Sequence, residues 1–160
     1  MLDLPFALMK YLPPELAHSI TLKLLKFKPS FFSYVDKNDF RLHQHLWGLD
    51  FNNPIGLAAG FDKNAEVVSQ LLDIGFGFVE AGTVTPKPQI GNDKPRVFRL
   101  SKDYAIINHL GFNNKGIQVV IKKLKKININ FFSKGIIGIN IGINNNTSNK
   151  IEDYCNGLEQ

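Results

Sequence analysis

The stretch that most constrains the fold is residues 53–66, which reads NPIGLAAGFDKNAE. Its proline pushes the preceding Asn53 out of helical space, so we expect a turn at the start of the stretch. Residues 55–59 form a short apolar run without polar alternation, typical of a strand buried on both faces of a parallel sheet. A helix is predicted to follow over residues 65–74. The order of strand, loop and helix predicts one βα unit.

Small and charged residues follow this strand at its carboxyl end. Ala59 and Gly60 offer almost no side chain, so a flat ligand can lie directly against the backbone there. Phe61, Asp62 and Lys63 come next and place a cation beside the bare patch. Ligands of α/β proteins bind at the carboxyl ends of parallel strands. The alternative is that Lys63 is a surface lysine at the start of a helix, and the residues alone leave both open.

Two further strands are predicted downstream. Residues 78–81 form a second buried strand after a glycine-rich turn, and Thr83 places a hydroxyl at its end. Residues 135–141 form the third strand, which carries Asn140. The Thr83 hydroxyl either satisfies backbone groups or contacts a ligand. Asn140 likewise is either a buried amide bonded to neighbouring strands or a ligand contact.

The remaining elements are read from alternation and helical spacing. Residues 45–51, with Gly48 in the middle, predict a small hairpin, and residues 96–100 and 104–108 alternate like an antiparallel pair. Helices are predicted over residues 116–126 and from residue 152 to residue 160, where the third helix would continue beyond the sequence. A basic run in the first of these two helices is most simply a solvated face, which argues against both nucleic acid and lipid as its partner. Its members are Lys122, Lys123, Lys125 and Lys126.

The first 28 residues predict two short helices, residues 1–12 and 14–27, broken at a pair of prolines. In the second helix Leu16, Ile20, Leu24 and Phe27 fall on one side. Four lysines against two acids make this segment weakly cationic, which suits an anionic membrane surface. On pattern alone an ordinary core-packing helical hairpin is the preferred alternative.

Composition sets outer limits. With 160 residues and 44% hydrophobic content the chain can bury one ordinary core. The net charge of +5 permits anionic partners without identifying them. The single Cys155 excludes an internal disulfide framework and fits a reducing compartment. The early apolar run at residues 4–9 is too short for a membrane span or a signal peptide core.

Three stretches together resemble dihydroorotate dehydrogenases of class 2, the membrane-associated enzymes that use a quinone. They are residues 53–66, GFGFVEAGTVTPKPQIGNDKPRVFRL at residues 75–100 and INHLGFNNKG at residues 107–116. The resemblance implies the amino-terminal portion of a (β/α)₈ TIM barrel, about its first three βα units, preceded by a two-helix extension. Since such a barrel needs about 250 residues, we expect a partial barrel. The implied divisions are a membrane and quinone-tunnel extension at residues 1–28, a connector at residues 29–44 and the FMN-binding barrel portion at residues 45–160.

The resemblance also implies roles for individual residues. Ile143 departs from it, because many members carry a lysine at this position. The implied FMN contacts are Ala59, Gly60, Phe61, Asp62, Lys63, Thr83 and Asn140. The implied substrate contacts are Lys63, Asn108, His109, Leu110, Gly111 and Phe112. The implied quinone-tunnel residues are His18 and Arg99.

Each of these residues has an ordinary alternative. A carboxamide at Asn108 suits the alternating donors and acceptors of a pyrimidine edge. The stretch around it would otherwise be a turn in which Asn113 and Asn114 supply left-handed residues and Phe112 simply packs. Arg99 as a structural residue would pair with Asp62 or Asp103. A lone histidine such as His18 is more often a packing or capping residue.

By resemblance, the function is oxidation of dihydroorotate to orotate through FMN, with ubiquinone or menaquinone as acceptor, in the synthesis of UMP. The protein would lie peripherally on the cytoplasmic side of a bacterial cell membrane. The family's proton-abstracting serine and the flavin phosphate site fall beyond Gln160, so no catalytic base is assigned and no metal is expected. We therefore expect these residues alone to be an inactive fragment. The alternatives are another FMN-dependent barrel oxidoreductase, or a non-enzymatic relic or membrane-surface module.

Overall fold

The computed structural model describes residues 8–27, 39–127 and 135–160. A short 3₁₀ helix, Phe40–Leu42, precedes the first strand. The helices are α1 (Pro14–Phe27), α2 (Val68–Asp73), α3 (Ile117–Leu124) and α4 (Lys150–Glu159). The strands are β1 (Gln44–Leu46), β2 (Leu49–Phe51), β3 (Gly56–Leu57), β4 (Phe78–Val84), β5 (Val97–Leu100), β6 (Ala105–Asn108) and β7 (Ile136–Ile141).

The central sheet has three parallel strands in the order β3-β4-β7. In the middle strand Val79, Ala81 and Val84 are at most 1% exposed, and they pack with α2 and α3 into one core. Strand, helix and parallel strand alternate, so the predicted α/β class and the three strands of the partial barrel are present.

The first strand of the sheet differs from its prediction. Strand β3 is only Gly56–Leu57, both residues are half-buried, and the neighbouring Ile55 is 63% exposed. Burial on both faces was therefore a wrong expectation for residues 55–59. The physical reason is that β3 is paired on one side only among the described strands, by β4. Apolar composition alone does not reveal how much of a sheet surrounds a strand.

The helix after residues 59–62, which we call the shelf, begins later than predicted. Helix α2 starts at Val68 instead of residue 65, because Ala65 adopts a left-handed φ of 49°. The Asp62 carboxylate accepts hydrogen bonds from the backbone N–H groups of Glu66 at 2.8 Å and Val67 at 2.7 Å. This carboxylate satisfies donors that a helix would otherwise leave free near its first turn.

The helix expected at residues 14–27 is confirmed as α1. Its Ala17 and Leu25 are buried, at 8% and 5% exposed, while Phe27 is 84% exposed. The side predicted to be apolar therefore faces outward for much of its length, and another side packs against the core. Residues 1–7 and 28–38 lie outside the described residues, so the two-helix extension and the division at residues 28 and 44 remain predictions.

Both predicted antiparallel pairs are confirmed. Strands β1 and β2 form a hairpin whose turn residues Trp47 and Gly48 have φ values of 53° and 74°. Strands β5 and β6 pair from Val97–Asn108 to Leu100–Ala105. In the chain, the second hairpin lies between a loop at residues 85–95 and the segment at residues 109–116. It therefore brings those two segments together, and Gln89 pairs with Asn114.

The side chain of Asn114 ties those segments to the sheet. Its amide nitrogen donates to Thr85 Oγ1 at 2.8 Å and to the Phe112 carbonyl at 2.7 Å. Its amide oxygen accepts from the backbone N–H groups of Thr85 at 3.2 Å and Gly116 at 2.8 Å. Asn114 is 7% exposed, so all four bonds are made away from water.

Glu66 joins three parts of the chain. Its carboxylate forms ion pairs with Lys26 at the end of α1, with Lys115 at 2.9 Å and with Lys123 of α3 at 3.5 Å. Burial alone would raise the pKa of this carboxyl, but hydrogen bonds from Lys26 and Lys115 outweigh burial and lower the pKa to about 2. Glu66 therefore stays ionised and holds α1 against α3.

We predict that replacing Asn114 with alanine lowers the free energy of unfolding by about 2–3 kcal/mol, because buried backbone and hydroxyl groups lose their partners. Urea titration followed by circular dichroism measures this. The matched control is Asn146→Ala at an exposed position, which we expect to change stability by less than about 0.5 kcal/mol. Equal effects of the two substitutions would contradict the role given to Asn114.

A second prediction concerns acid. Because the folded pKa of Glu66 lies below its ordinary value of 4.5, its contribution is complete above that pH and is lost as pH falls toward about 2. We expect Glu66→Gln to cost about 1–2 kcal/mol at pH 7, a value reduced by the exposure of the lysines. The difference should shrink between pH 5 and pH 3. Glu159→Gln is the control, and a pH-independent difference for Glu66→Gln would refute the assignment.

Candidate functional site

The small-residue shelf lies at the carboxyl end of the sheet. Gly60 has a φ of 115°, and a Cβ placed on it would have no atom within 4 Å, so the space in front of the backbone is open. The Gly60 N–H donates to the Gly82 carbonyl at 2.8 Å, and the Gly82 N–H donates to the Asp62 carbonyl at 3.0 Å. The shelf is thus held by backbone bonds to β4 while its front stays free. A planar ligand can lie against it.

Thr83 and Asn140 meet beside this shelf. The Thr83 hydroxyl donates to Asn140 Oδ1 at 2.7 Å, and Asn140 Nδ2 donates to Glu80 Oε1 at 3.1 Å. A Cβ on Gly82 would lie 2.4 Å from the Asn140 carbonyl oxygen, so β4 and β7 approach closely at this level. The structure therefore brings together Gly60, Thr83 and Asn140, as expected for one ligand site. Strand β4 is also longer than predicted, since it continues through Thr83 to Val84.

Lys63 lies in a cavity of about 870 Å³ between the shelf and α1. Its ammonium donates to Asn113 Oδ1 at 3.0 Å. The cavity is also lined by Gly60 and Phe61 of the shelf, by Leu110 of the predicted substrate loop, and by His18 of α1. At least one residue implied in each of flavin, substrate and quinone binding thus lines this hollow, whereas Thr83, Asn108 and Asn140 are not among its lining residues.

The burial of Lys63 and the nearby charge of Arg96 favour the binding of an anion beside the ammonium. Burial of the ammonium lowers the pKa of Lys63, the positive charge of Arg96 lowers it further, and Glu15 partly opposes them. A bound carboxylate would relieve both the desolvation and the repulsion. The arrangement is suited to holding an anionic group or an electron-rich ring edge.

The carboxylate of Asp62 has a structural role. It is 1% exposed and accepts from the backbone of Asn64, Glu66 and Val67. Its side chain is therefore directed to the start of α2. A ligand contact from this residue would come from its backbone.

The loop predicted to bind substrate begins where β6 ends. The exposed Asn108 accepts from the Leu110 N–H at 3.5 Å, and Asn92 Nδ2 donates to the His109 carbonyl at 2.6 Å. The left-handed positions are Gly111, with φ of 71°, and Phe112, with φ of 52°. The alternative that Asn113 and Asn114 supply the left-handed residues is therefore wrong.

The aromatic side chains of this loop are open to solvent. Phe112 is 52% exposed, so it does not simply pack into the core. The exposed His109 ring stacks on Phe98 of β5 with centroids 5.7 Å apart and an interplanar angle of 15°. This stacking anchors the loop on the β5–β6 hairpin. The Phe112 ring is left free to cover a ligand.

His18 contacts the shelf directly. Its Nε2 is 2.6 Å from the Phe61 carbonyl oxygen, and its ring meets the Phe61 ring edge-on at 5.3 Å. The residue proposed for the quinone tunnel therefore touches a residue proposed for the flavin site.

Arg99 lies beside the segment that precedes the amino-terminal end of α1. Its guanidinium donates to the carbonyl oxygens of Lys10 at 2.9 Å and Leu12 at 2.5 Å. The expected structural pairing with Asp62 or Asp103 is wrong. Carbonyl groups at the end of a helical segment lack intrahelical partners, and residues 8–9 are helical, so they attract the guanidinium.

The sequence patterns did not identify four residues of the site, which are Arg96, Glu15, Glu80 and Asn113. Arg96 is 6% exposed and binds Glu15 of α1 at 2.9 Å, and it donates to the carbonyls of Ile90 and Asn92 at 2.8 Å each. Glu80 accepts a hydrogen bond from Asn140, and Asn113 accepts one from Lys63. A charged residue inside the apolar strand FVEAGTV was a signal for Glu80. No local signal distinguished Arg96 from Arg99.

A metal centre is not indicated by this part of the chain. Among residues 8–27, 39–127 and 135–160, no three His, Cys, Asp or Glu side chains come together in a way that would hold an ion.

The sequence is similar to those of known proteins. Residues 41–160 match the family described as dihydroorotate dehydrogenase. The quinone-type dihydroorotate dehydrogenase of Rhizobium rhizogenes is 50% identical over 149 residues, which cover 93% of this chain and 40% of that protein. The corresponding protein of Bartonella henselae is 52% identical over 147 residues, with 92% and 39% covered. The chain thus spans about 40% of the length of these relatives.

Solved structures agree with this similarity. Dihydroorotate dehydrogenase of Eimeria tenella in complex with ferulenol has a TM-score of 0.84 and 45% identity, over 91% of this chain and 40% of that chain. The ligand-free type from the same organism has a TM-score of 0.79 and 44% identity, over 91% and 41%. The three-stranded sheet therefore fits part of the barrel of such an enzyme. The chain belongs to the dihydroorotate dehydrogenase family and matches the amino-terminal portion of its quinone-dependent members.

Proposed function

We propose that this chain supplies the flavin- and substrate-binding front of a quinone-dependent dihydroorotate dehydrogenase. The whole enzyme would oxidise dihydroorotate to orotate in UMP synthesis. The observation that carries the proposal is the shared cavity, in which the open shelf at Gly60, the desolvated ammonium of Lys63 and the His18 ring lie together. Because the chain covers about 40% of its relatives, the activity itself belongs to the proposal.

The flavin would lie on the shelf. The open space at Gly60 fits a planar ring, and the Thr83–Asn140 pair offers polar atoms at its edge. The backbone of residues 59–62 and the ammonium of Lys63 complete the proposed contacts. When bound, FMN would supply the redox chemistry, accepting electrons from the substrate and delivering them to the quinone. The residues of this chain bind and orient the ring.

Dihydroorotate would lie between the flavin and the loop that follows β6. Lys63 would pair with its carboxylate, which explains why the ammonium is buried without an acidic partner at hydrogen-bond distance among its described contacts. The Asn108 amide would contact the pyrimidine edge, with Gly111 permitting close approach. Phe112 would cover the ring. His109 and Leu110 would shape the loop.

The quinone, ubiquinone or menaquinone, would approach along α1. His18 contacts Phe61 and lines the cavity, while Arg99 lies just before the amino-terminal end of the helix. Leu16, Leu24 and Phe27 of α1 are exposed, a pattern typical of helices that lie in a membrane surface. No helix in the part of the chain that the structure describes is long and apolar enough to cross a bilayer. We propose peripheral attachment on the cytoplasmic side of a bacterial membrane.

We predict that the purified chain binds riboflavin and FMN with similar affinity, because the proposed contacts are to the ring and the phosphate site is expected outside these residues. Quenching of flavin fluorescence during titration measures both affinities. Lys63→Met should weaken both about 10- to 100-fold, since a charged hydrogen bond contributes about 1.5–3 kcal/mol.

The control for this titration is Lys102→Met at an exposed hairpin position, which should leave both affinities unchanged. A folded wild-type chain that binds neither flavin would overturn the proposed flavin site. A strong preference for FMN over riboflavin would instead place a phosphate site within these residues.

A further prediction is that the chain alone does not reduce a quinone in the presence of FMN and dihydroorotate. No residue here is assigned to remove the substrate proton, so positioning alone should give no turnover above the flavin blank. The measurement is loss of dichlorophenolindophenol absorbance in the presence of a soluble quinone. Turnover abolished by Lys63→Met would show that a base is present after all.

A further inference from the structure

The basic run at the end of α3 has no part in the proposed flavin and substrate site. Lys122, Lys125 and Lys126 are exposed, whereas Lys123 is half-buried and donates to the Asn64 carbonyl at 2.9 Å. Three exposed cations at one helix end repel one another in water. An anionic partner would relieve this repulsion.

The structure places this run beside the end of α1. Glu66 binds both Lys26 of α1 and Lys123 of α3, so the two helix ends are adjacent. A cavity of about 430 Å³ opens between them and is lined by Lys26, Glu66, Lys123 and Lys126. We use the name basic edge for the exposed lysines near the adjacent ends of these two helices, of which Lys26 and Lys126 line the opening. They are Lys23 and Lys26 of α1 with Lys122, Lys125 and Lys126 of α3.

Exposed apolar groups adjoin the basic edge. Phe27, next to Lys26 in the chain, is 84% exposed, and Leu24 is 41% exposed. A membrane surface satisfies both features, since acyl chains take up the apolar groups and anionic headgroups pair with the lysines. A nucleic acid would neutralise the lysines but would leave the leucine in water. The combination therefore favours a lipid surface.

We propose that the basic edge docks on the headgroups of anionic phospholipids, so that α3 as well as α1 faces the membrane. The proposal rests on the membrane attachment proposed above and adds the kind of lipid and the second helix. A phosphodiester would occupy the mouth of the cavity, within reach of Lys26 and Lys126. Glu66 also lines the cavity and pairs with Lys26 and Lys123.

The test is sedimentation of the 160-residue chain with vesicles of phosphatidylcholine, alone or with phosphatidylglycerol. We expect tighter binding to the anionic vesicles, weakened by salt. Lys125→Gln with Lys126→Gln should reduce binding to anionic vesicles at least about tenfold, since each lysine near an anionic surface contributes about fivefold. Binding to pure phosphatidylcholine should not change.

The matched control is Lys87→Gln with Lys150→Gln, which removes the same charge from exposed positions away from the basic edge. Its binding should stay within about twofold of wild type. Equal losses in the two double variants would overturn the proposal in favour of a net-charge effect. Equal wild-type binding to both vesicle types would overturn it while leaving the apolar attachment of α1 intact. Absence of binding to either would refute both proposals.

Discussion

The site depends on the backbone bonds between the shelf and the middle strand. Gly60 and Asp62 each make one hydrogen bond with Gly82, and these bonds fix the shelf at the level where β4 meets β7. A Cβ on Gly82 would lie 2.4 Å from the Asn140 carbonyl, so only glycine allows the two strands to come this close. The Thr83–Asn140 hydrogen bond exists because of that approach. The polar edge of the proposed flavin site thus follows from a steric constraint.

The two acids and the lysine among residues 62–66 have separate roles. Asp62 and Glu66 are both nearly enclosed, and both are used structurally, one at the start of α2 and the other between lysines of α1 and α3. Neither carboxylate is among the hydrogen-bond partners described for Lys63, which binds the neutral Asn113. Lys63 can therefore offer its charge to a ligand. The same stretch of sequence builds the helix start and leaves the Lys63 ammonium without a hydrogen-bonded carboxylate among its described contacts.

Elements with a strong local pattern were predicted well from the sequence. Helix α1, the hairpin of β5 and β6, and strand β7 all lie within a residue or so of their expected positions, since helical spacing and alternation are local signals. The start of α2 was missed because it depends on the left-handed Ala65 and on the Asp62 carboxylate. Such a start requires knowledge of φ and of a side chain's hydrogen bonds.

The site was predicted only in part, because local sequence patterns place some of its residues and not others. Residues carried by the strand ends, such as Thr83 and Asn140, were found together because parallel strands bring their carboxyl ends to one edge. The partners of arginines could not be predicted, because they depend on contacts between segments distant in the chain. Arg99 binds carbonyls some ninety residues earlier, and Arg96 binds Glu15. Nothing in their own neighbourhood distinguishes these two arginines.

Arg96 explains why α1 is part of the site and not an appendage to it. Its guanidinium reaches Glu15 of α1 and the carbonyl of Asn92, and its own carbonyl accepts from the His109 N–H. One buried residue therefore joins the helix proposed for the quinone, through its side chain, to the loop proposed for the substrate, through its backbone carbonyl. Removing α1 would take away one wall of the Lys63 cavity, including His18, and would leave the Arg96 charge without Glu15. The desolvation that makes Lys63 receptive to an anion is consequently a property of the docked helix as much as of the barrel.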